Sequence, residues 1–197
     1  AELSPYHNLT QLFVSSGNQS NRWSPTQEFV NTYLNRDGSR FTDTSGYETK
    51  NFVQNSTNRD CRLAQSMMMP GYTKLNNNGE KMETMPDWSV TMTGYQVIKY
   101  NMDGTFYEVT NHSSNAVPVI RYAEILLNEA EAKAELGQMT SQVWNKTIRL
   151  LRERAGVNGR IPTTADPYLV SYYDNKVTDM WLLEIRRERA VELFFEG

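Results

Sequence analysis

The chain has 197 residues, 39% of them hydrophobic, which is enough for a packed core and argues against global disorder. A formal net charge of −3 supplies no broad basic field, so nucleic acid and anionic membrane surfaces are excluded as main partners. The single cysteine, Cys61, cannot form an internal disulfide or a Cys-rich metal site, and no apolar run approaches the ~20 residues that cross a bilayer.

Residues 1–10 lack the charged and apolar regions of a secretory leader. Up to Pro118 the sequence is rich in Asn, Ser, Thr, Gly, Tyr and Met and predicts ordered loops with a few small elements. One helix is marked by Ser24 as N-cap, Pro25 at the first position and Gln27 as capping partner, with Phe29, Val30, Tyr33 and Leu34 on one face. It should stop in the turn Asn35-Arg36-Asp37-Gly38. Residues 95–100 and 105–110 have strand-like composition around Asn101-Met102-Asp103-Gly104 and predict a β-hairpin.

After Pro118 the pattern becomes helical. Ile120, Ala123, Leu127, Ala130 and Ala134 repeat at three and four residues, predicting a helix over 119–136 that Gly137 ends. A second helix over 141–155 carries Trp144, Ile148, Leu151 and Ala155 on one face, antiparallel to the first across a short loop. Residues 157–177 then read as a loop, and a third helix covers 178–196 with Leu182, Ile185, Arg189 and Leu193 in its stripe. Phe194 and Phe195 near its end have nothing after Gly197 to cover them, from which we expect a segment of a longer protein, incomplete at both ends. The architecture is mostly α: tetratricopeptide-like helix pairs, a loop-rich portion over 1–118 and a helical scaffold over 119–197, both parts of one domain.

The charges of these helices follow a pattern. Glu184, Glu188, Glu192 and Glu196 form one column, with Arg186, Arg187 and Arg189 around the helix from it. Pairing at spacing three, Glu184 with Arg187 and Arg189 with Glu192, makes them structural rather than an acid/base or metal site. Glu124 and Glu131 should meet Arg149, Arg152 or Arg186. Arg121, Glu124, Glu131, Arg186, Arg189 and Glu192 are accordingly expected to be structural ion-pair residues, and Glu124→Gln to lower the melting temperature.

No GxSxG, HExxH, phosphate-loop or CxxC motif is present, and His7 and His112 lie in unpatterned polar segments. Asp37, Ser39 and Asp43 miss the calcium-loop pattern, so neither catalytic residues, metal nor cofactor are expected. Aromatics in polar loops are different, because a flat apolar face can stack on a sugar ring while neighbouring polar groups take its hydroxyls. By that criterion Trp23 beside Asn21 and Arg22, Trp88 beside Asp87, and Tyr6, Tyr47 and Tyr72 are the ligand-binding candidates. Trp144 and Trp181, at helical spacing, belong to the core.

Several segments, taken in order, resemble the SusD/RagB family. They are WSPTQEFVNTYLNRD at 23–37, Arg59-Asp60-Cys61-Arg62-Leu63 with Cys61 where the family usually has proline, Pro70-Gly71, and Thr93-Gly94-Tyr95 with Lys99. They are followed by IRYAEILLNEAEAKAELG at 120–137 and IRRERAVELFFEG at 185–197. The resemblance implies a non-catalytic, surface-exposed lipoprotein of the outer membrane, anchored by a lipid outside this chain. Such a protein captures a glycan and delivers it to a SusC-like TonB-dependent transporter. A peptide-binding RagB-like member, a helix-pair scaffold that binds only proteins, and a carbohydrate-active enzyme are the alternatives.

Overall fold

A computed structural model describes residues 6–14 and 22–196. The helices are α1 Leu9–Val14, α2 Gln27–Thr32, α3 Phe52–Ser56, α4 Cys61–Ser66, α5 Tyr122–Glu135, α6 Ser141–Lys146, α7 Ile148–Arg154, α8 Pro167–Tyr172 and α9 Met180–Glu192, with strands β1 Thr73–Leu75 and β2 Lys81–Glu83. The chain forms two compact units, Ala1–Gln27 with Leu63–Val117, and Glu28–Arg62 with Pro118–Gly197. Residues 28–62 thus fold with the helical part rather than with the loops that flank them in sequence.

In the first unit β1 and β2 pair antiparallel, Thr73 opposite Glu83 and Leu75 opposite Lys81. The hairpin therefore lies at 73–83, not at 95–110 as its composition predicts. Its signal is the turn dipeptide Asn78-Gly79, where Gly79 takes φ +80° and Asn76 accepts from the backbone of Asn78 and Glu80. Residues 95–98 are instead an extended stretch that exchanges backbone bonds with 66–68, Met68 N to Gln96 O and Ile98 N to Ser66 O. Their apolar composition reflects burial there: Tyr95, Val97 and Ile98 are buried, as are Met67, Met68 and Met69. Thr105–Glu108 is a 3-10 helix.

The helical unit has its core where α5, α6, α7 and α9 meet. Ala123, Leu126, Leu127 and Ala130 of α5 pack with Trp144, Ile148, Leu151 and Ile185, and Trp181 lies against them. Trp144 is fully buried, its indole N–H donating to Gly159 O at 2.8 Å, so the ring enters the core without an unmet donor. Sequence spacing predicts one helix over 141–155, but Thr147, at φ −124° and ψ −89°, separates α6 from α7 while its Oγ1 donates to Val143 O. The break keeps the apolar stripe in register, which is why periodicity does not reveal it. The expected loop at 157–177 contains α8, capped by Asp166, whose carboxylate accepts from Tyr168 N. The third helix is shorter than predicted and starts at Asp179, which caps both Trp181 N and Leu182 N.

The predicted helix over 24–34 is also shorter, because Ser24 does not cap it. Its hydroxyl binds Thr91 and accepts from Met92 N, so the helix begins at Gln27. Among the described residues no helix is long and apolar enough to cross a membrane.

Candidate functional site

The first unit holds two exposed tryptophans on segments that are pinned to each other. Asp87 builds the loop of Trp88: its N–H donates to Gln96 Oε1, its carbonyl accepts from Val90 N and Thr91 N, and its carboxylate accepts from Ser89 N at 2.8 Å. Those Ser89 hydrogen bonds lower the Asp87 pKa and keep it an acceptor. Ser24 Oγ lies 3.1 Å from Thr91 Oγ1 and accepts from Met92 N at 2.8 Å, Thr93 Oγ1 donates to Pro25 O at 2.7 Å, and Tyr95 OH donates to Gln27 Oε1 at 2.7 Å. The segment 22–27 and the loop 87–95 therefore form one braced element.

Trp88 is 70% exposed and Trp23 51%, with Met85 and Met92 also exposed. Gly94, at φ +82°, lets the Trp88 ring settle on the backbone: a Cβ there would stand 3.4 Å from its Cη2. The outer edge of the indole, Cη2 with Cζ2 and Cζ3, is thus the part that lies against Gly94, while most of the ring stays in water. Arg22 and Asp87, both exposed, place a donor and an acceptor on the same element. Methionines 85 and 92 escape reading from sequence, since nothing in their spacing separates them from core methionines; the turn residues Pro86 and Gly94 around Trp88 are the available signal.

The other candidates are placed differently. Tyr72 OH donates to Asp103 Oδ1 at 2.5 Å, and burial first, then this contact, raises its pKa, so it ties β1 to the 103 loop. Tyr47 lies in the other unit with its ring edge-on to Phe41. Tyr6 is half exposed beside the bridge between His7 and Ser113. Asn21 lies outside the described residues.

In the helical unit Glu184, Glu188 and Glu192 of α9 are buried and matched by Arg187 of the same helix and by arginines from elsewhere in the chain. Arg187 pairs with Asp166 and Glu184; Arg152 bridges Glu184 and Glu188 at 2.6 and 2.9 Å. Arg62, whose Nε and Nη2 bind Asp60, reaches Glu188 and Glu192 at 2.6 and 2.9 Å, and Arg121 joins Glu192 to Glu196. Burial raises the pKa of Glu192, but Arg62, Arg121 and Arg154 outweigh it and hold the carboxyl down to about 2. Glu184 is likewise lowered, its desolvation outweighed by Arg187 and Arg152.

Glu131 pairs with Arg189 at 2.8 Å and, more loosely, with Arg186. Two expectations need correction. Glu124 has no ion-pair partner among the described residues; Arg149 turns to Glu153, and Arg152 is consumed by the α9 column. Arg189 pairs with Glu131, leaving Glu192 to Arg62, Arg121 and Arg154. The segment Arg59-Asp60-Cys61-Arg62 is a second anchor: Arg59 Nη2 donates to Val30 O and Tyr33 O, its guanidinium lies 3.6 Å from the Phe41 ring centroid, and Cys61 Sγ donates to Ala155 O. Burial raises the Cys61 pKa, which suits a packing thiol and not a nucleophile. Among the described residues no three His, Cys, Asp or Glu side chains gather as a metal site requires.

Solved structures of longer proteins are similar. A SusD-like carbohydrate binding protein from Bacteroides fragilis NCTC 9343 is 26% identical, with TM-score 0.57, over 88% of this chain and 33% of its own. Two structures of BT4246, one of them with selenomethionine, share the fold at 19% and 20% identity, with TM-scores 0.63 and 0.61, over 88% of this chain and 33% and 32% of theirs. The chain spans about a third of the length of these relatives. None of the curated proteins matches it. Its segment order, mostly helical fold and match to the family profile over residues 4–197 agree: the chain belongs to the SusD family.

Proposed function

We propose that this chain is part of a non-catalytic nutrient-binding protein at the cell surface, which takes a glycan on the face of Trp23 and Trp88. In this reading the helical unit is the scaffold, and the bound glycan passes to a SusC-like TonB-dependent transporter. A lipid on a segment outside this chain would hold the protein to the outer membrane. The observation that carries the proposal is the braced pair of tryptophan segments: an indole seated by its outer edge near Gly94 and mostly open to water offers the apolar surface that the CH face of a pyranose requires. Holding such rings on a rigid element limits the ordering cost of binding.

Family membership and the similarity to a protein described as carbohydrate binding point the same way. The charges support a binder over a hydrolase. Glycoside hydrolysis needs a carboxylic acid that stays protonated near working pH, opposite a second carboxylate. The α9 carboxylates are matched by guanidinium groups, and where their pKa values move they move down.

The test is electrophoresis through gels loaded with assorted soluble glycans, with an assay for new reducing ends on the same samples. Retardation by at least one glycan, loss of that retardation in the Trp23→Ala/Trp88→Ala protein, and no new reducing ends are expected. Cleavage, or retardation indifferent to both tryptophans, would defeat the proposal.

A further inference from the structure

We infer that the helical unit carries a separate binding site for a single neutral polyhydroxylated ring, one sugar residue, in the cleft between residues 34–43 and 160–164. The cleft encloses about 290 Å³ and its lining includes Arg40, Asp43, Arg160, Thr163, Thr164 and Arg187. Ligand pockets run to roughly 300–1,000 Å³, so this one suits a single ring rather than a chain.

Its walls are tied to one another. Asn158 N donates to Arg36 O, Arg160 Nε to Gly38 O at 3.1 Å, and Arg40 Nη2 to Thr164 O at 2.6 Å. Gly38 is needed there because it has φ +78° and a Cβ would come within 2.5 Å of Asn158 O. A cleft braced in this way is preformed, and a ligand need not order it.

Charge balance selects the ligand class. On the floor, Arg187 is matched by Asp166 and Glu184, Glu184 also by Arg152, and Arg40 by Asp166 at 3.6 Å. At the rim Arg160 faces water with one positive charge and Asp43 with one negative. No net positive field remains to draw an anion. Guanidinium groups only donate and a carboxylate only accepts, whereas a sugar hydroxyl does both, so a ring of hydroxyls can satisfy Arg160, Asp43 and the two threonines together.

Arg187, 3% exposed and paired with Asp166 and Glu184, closes the floor of the cleft, so the groups that a ligand meets are those of the rim. The inference does not depend on the tryptophan face, which lies in the other unit.

Amide NMR spectra of the chain, titrated with methyl glycosides of glucose, galactose, mannose and N-acetylglucosamine and with glucuronate, test it. We expect at least one neutral glycoside at millimolar concentration to shift the amides of 38–43 and 160–164. Asp43→Ala, at an exposed position, should weaken that binding about fivefold or more, and Trp23→Ala/Trp88→Ala should leave it unchanged. Glucuronate binding there more tightly than every neutral glycoside, the absence of shifts at those amides, or an unaltered affinity in Asp43→Ala would overturn it. Because gel retardation reads the tryptophan face and these amides read the cleft, either site can fail without the other.

Discussion

Arg152 Nε donates to Glu188 Oε2 at 2.9 Å, with side chains only 2% and 1% exposed. Arg152 comes from α7 and Glu188 from α9, so the pair locks two helices of the core. Its net contribution to stability is small if both partners are exchanged for apolar groups, because desolvation offsets the attraction. Removing one partner is another matter. Arg152→Ala leaves Glu184 and Glu188 buried with fewer cations and should destabilise the helical unit by about 3–5 kcal/mol in urea unfolding. Arg149→Ala, which breaks the exposed pair with Glu153, should cost no more than about 0.5 kcal/mol.

Acid should unfold the helical unit through the same network. Glu192 titrates near 2 when folded against an ordinary value of 4.5, so the unfolded chain binds more protons between those values. Stability from this group is therefore complete above about pH 4.5 and is lost as pH falls toward 2. Urea midpoints at pH 7, 4.5 and 3 should fall only in the last step, and Glu192→Gln should flatten that fall while lowering the midpoint at pH 7.

Two glycines separate backbone strain from crowding. Gly79, at φ +80°, has open space around its would-be Cβ, whereas Gly38, at φ +78°, abuts Asn158 O. Gly79→Ala should cost about 1 kcal/mol, and Gly38→Ala about 2 kcal/mol or more, read as shifts in the thermal midpoint. Equal costs at the two positions would show that the Asn158 contact relaxes freely.

Glu124→Gln, expected from sequence to lower the melting temperature, should now change stability by less than about 0.5 kcal/mol. The structure gives Glu124 no ion-pair partner among the described residues and places it on the wall of a groove with Val119, Ile120 and Leu193. A drop of several degrees would mean that a cation reaches it in solution.

Trp88→Ala should weaken glycan binding about two- to tenfold, measured by affinity electrophoresis, and leave the melting temperature nearly unchanged because the ring is mostly in water. Trp144→Ala should do the reverse, costing about 3–5 kcal/mol in stability.

The helical spacing of residues 119–136 and 178–196, the core placement of Trp144, and the carboxylate column of α9 are legible in the sequence, since each depends only on the 3.6-residue period. So are the two tryptophans in polar loops. Of the column's partners only Arg187, three residues from Glu184, is legible: Arg62 meets Glu188 across 126 residues, and the short-range rule that would pair Arg189 with Glu192 loses to Glu131 on α5. The hairpin at 73–83 is hidden because its strands are three residues long and largely exposed, while the buried stretch 95–98 pairs with 66–68 and not with 105–110. Local pattern decides which residues form helices and which faces are apolar, because those are near-neighbour effects. The bracing of Ser24 against Thr91, the matching of each buried charge and the Gly38–Arg160 cleft are decided only by tertiary packing, where distant segments supply the donors that a short window cannot contain.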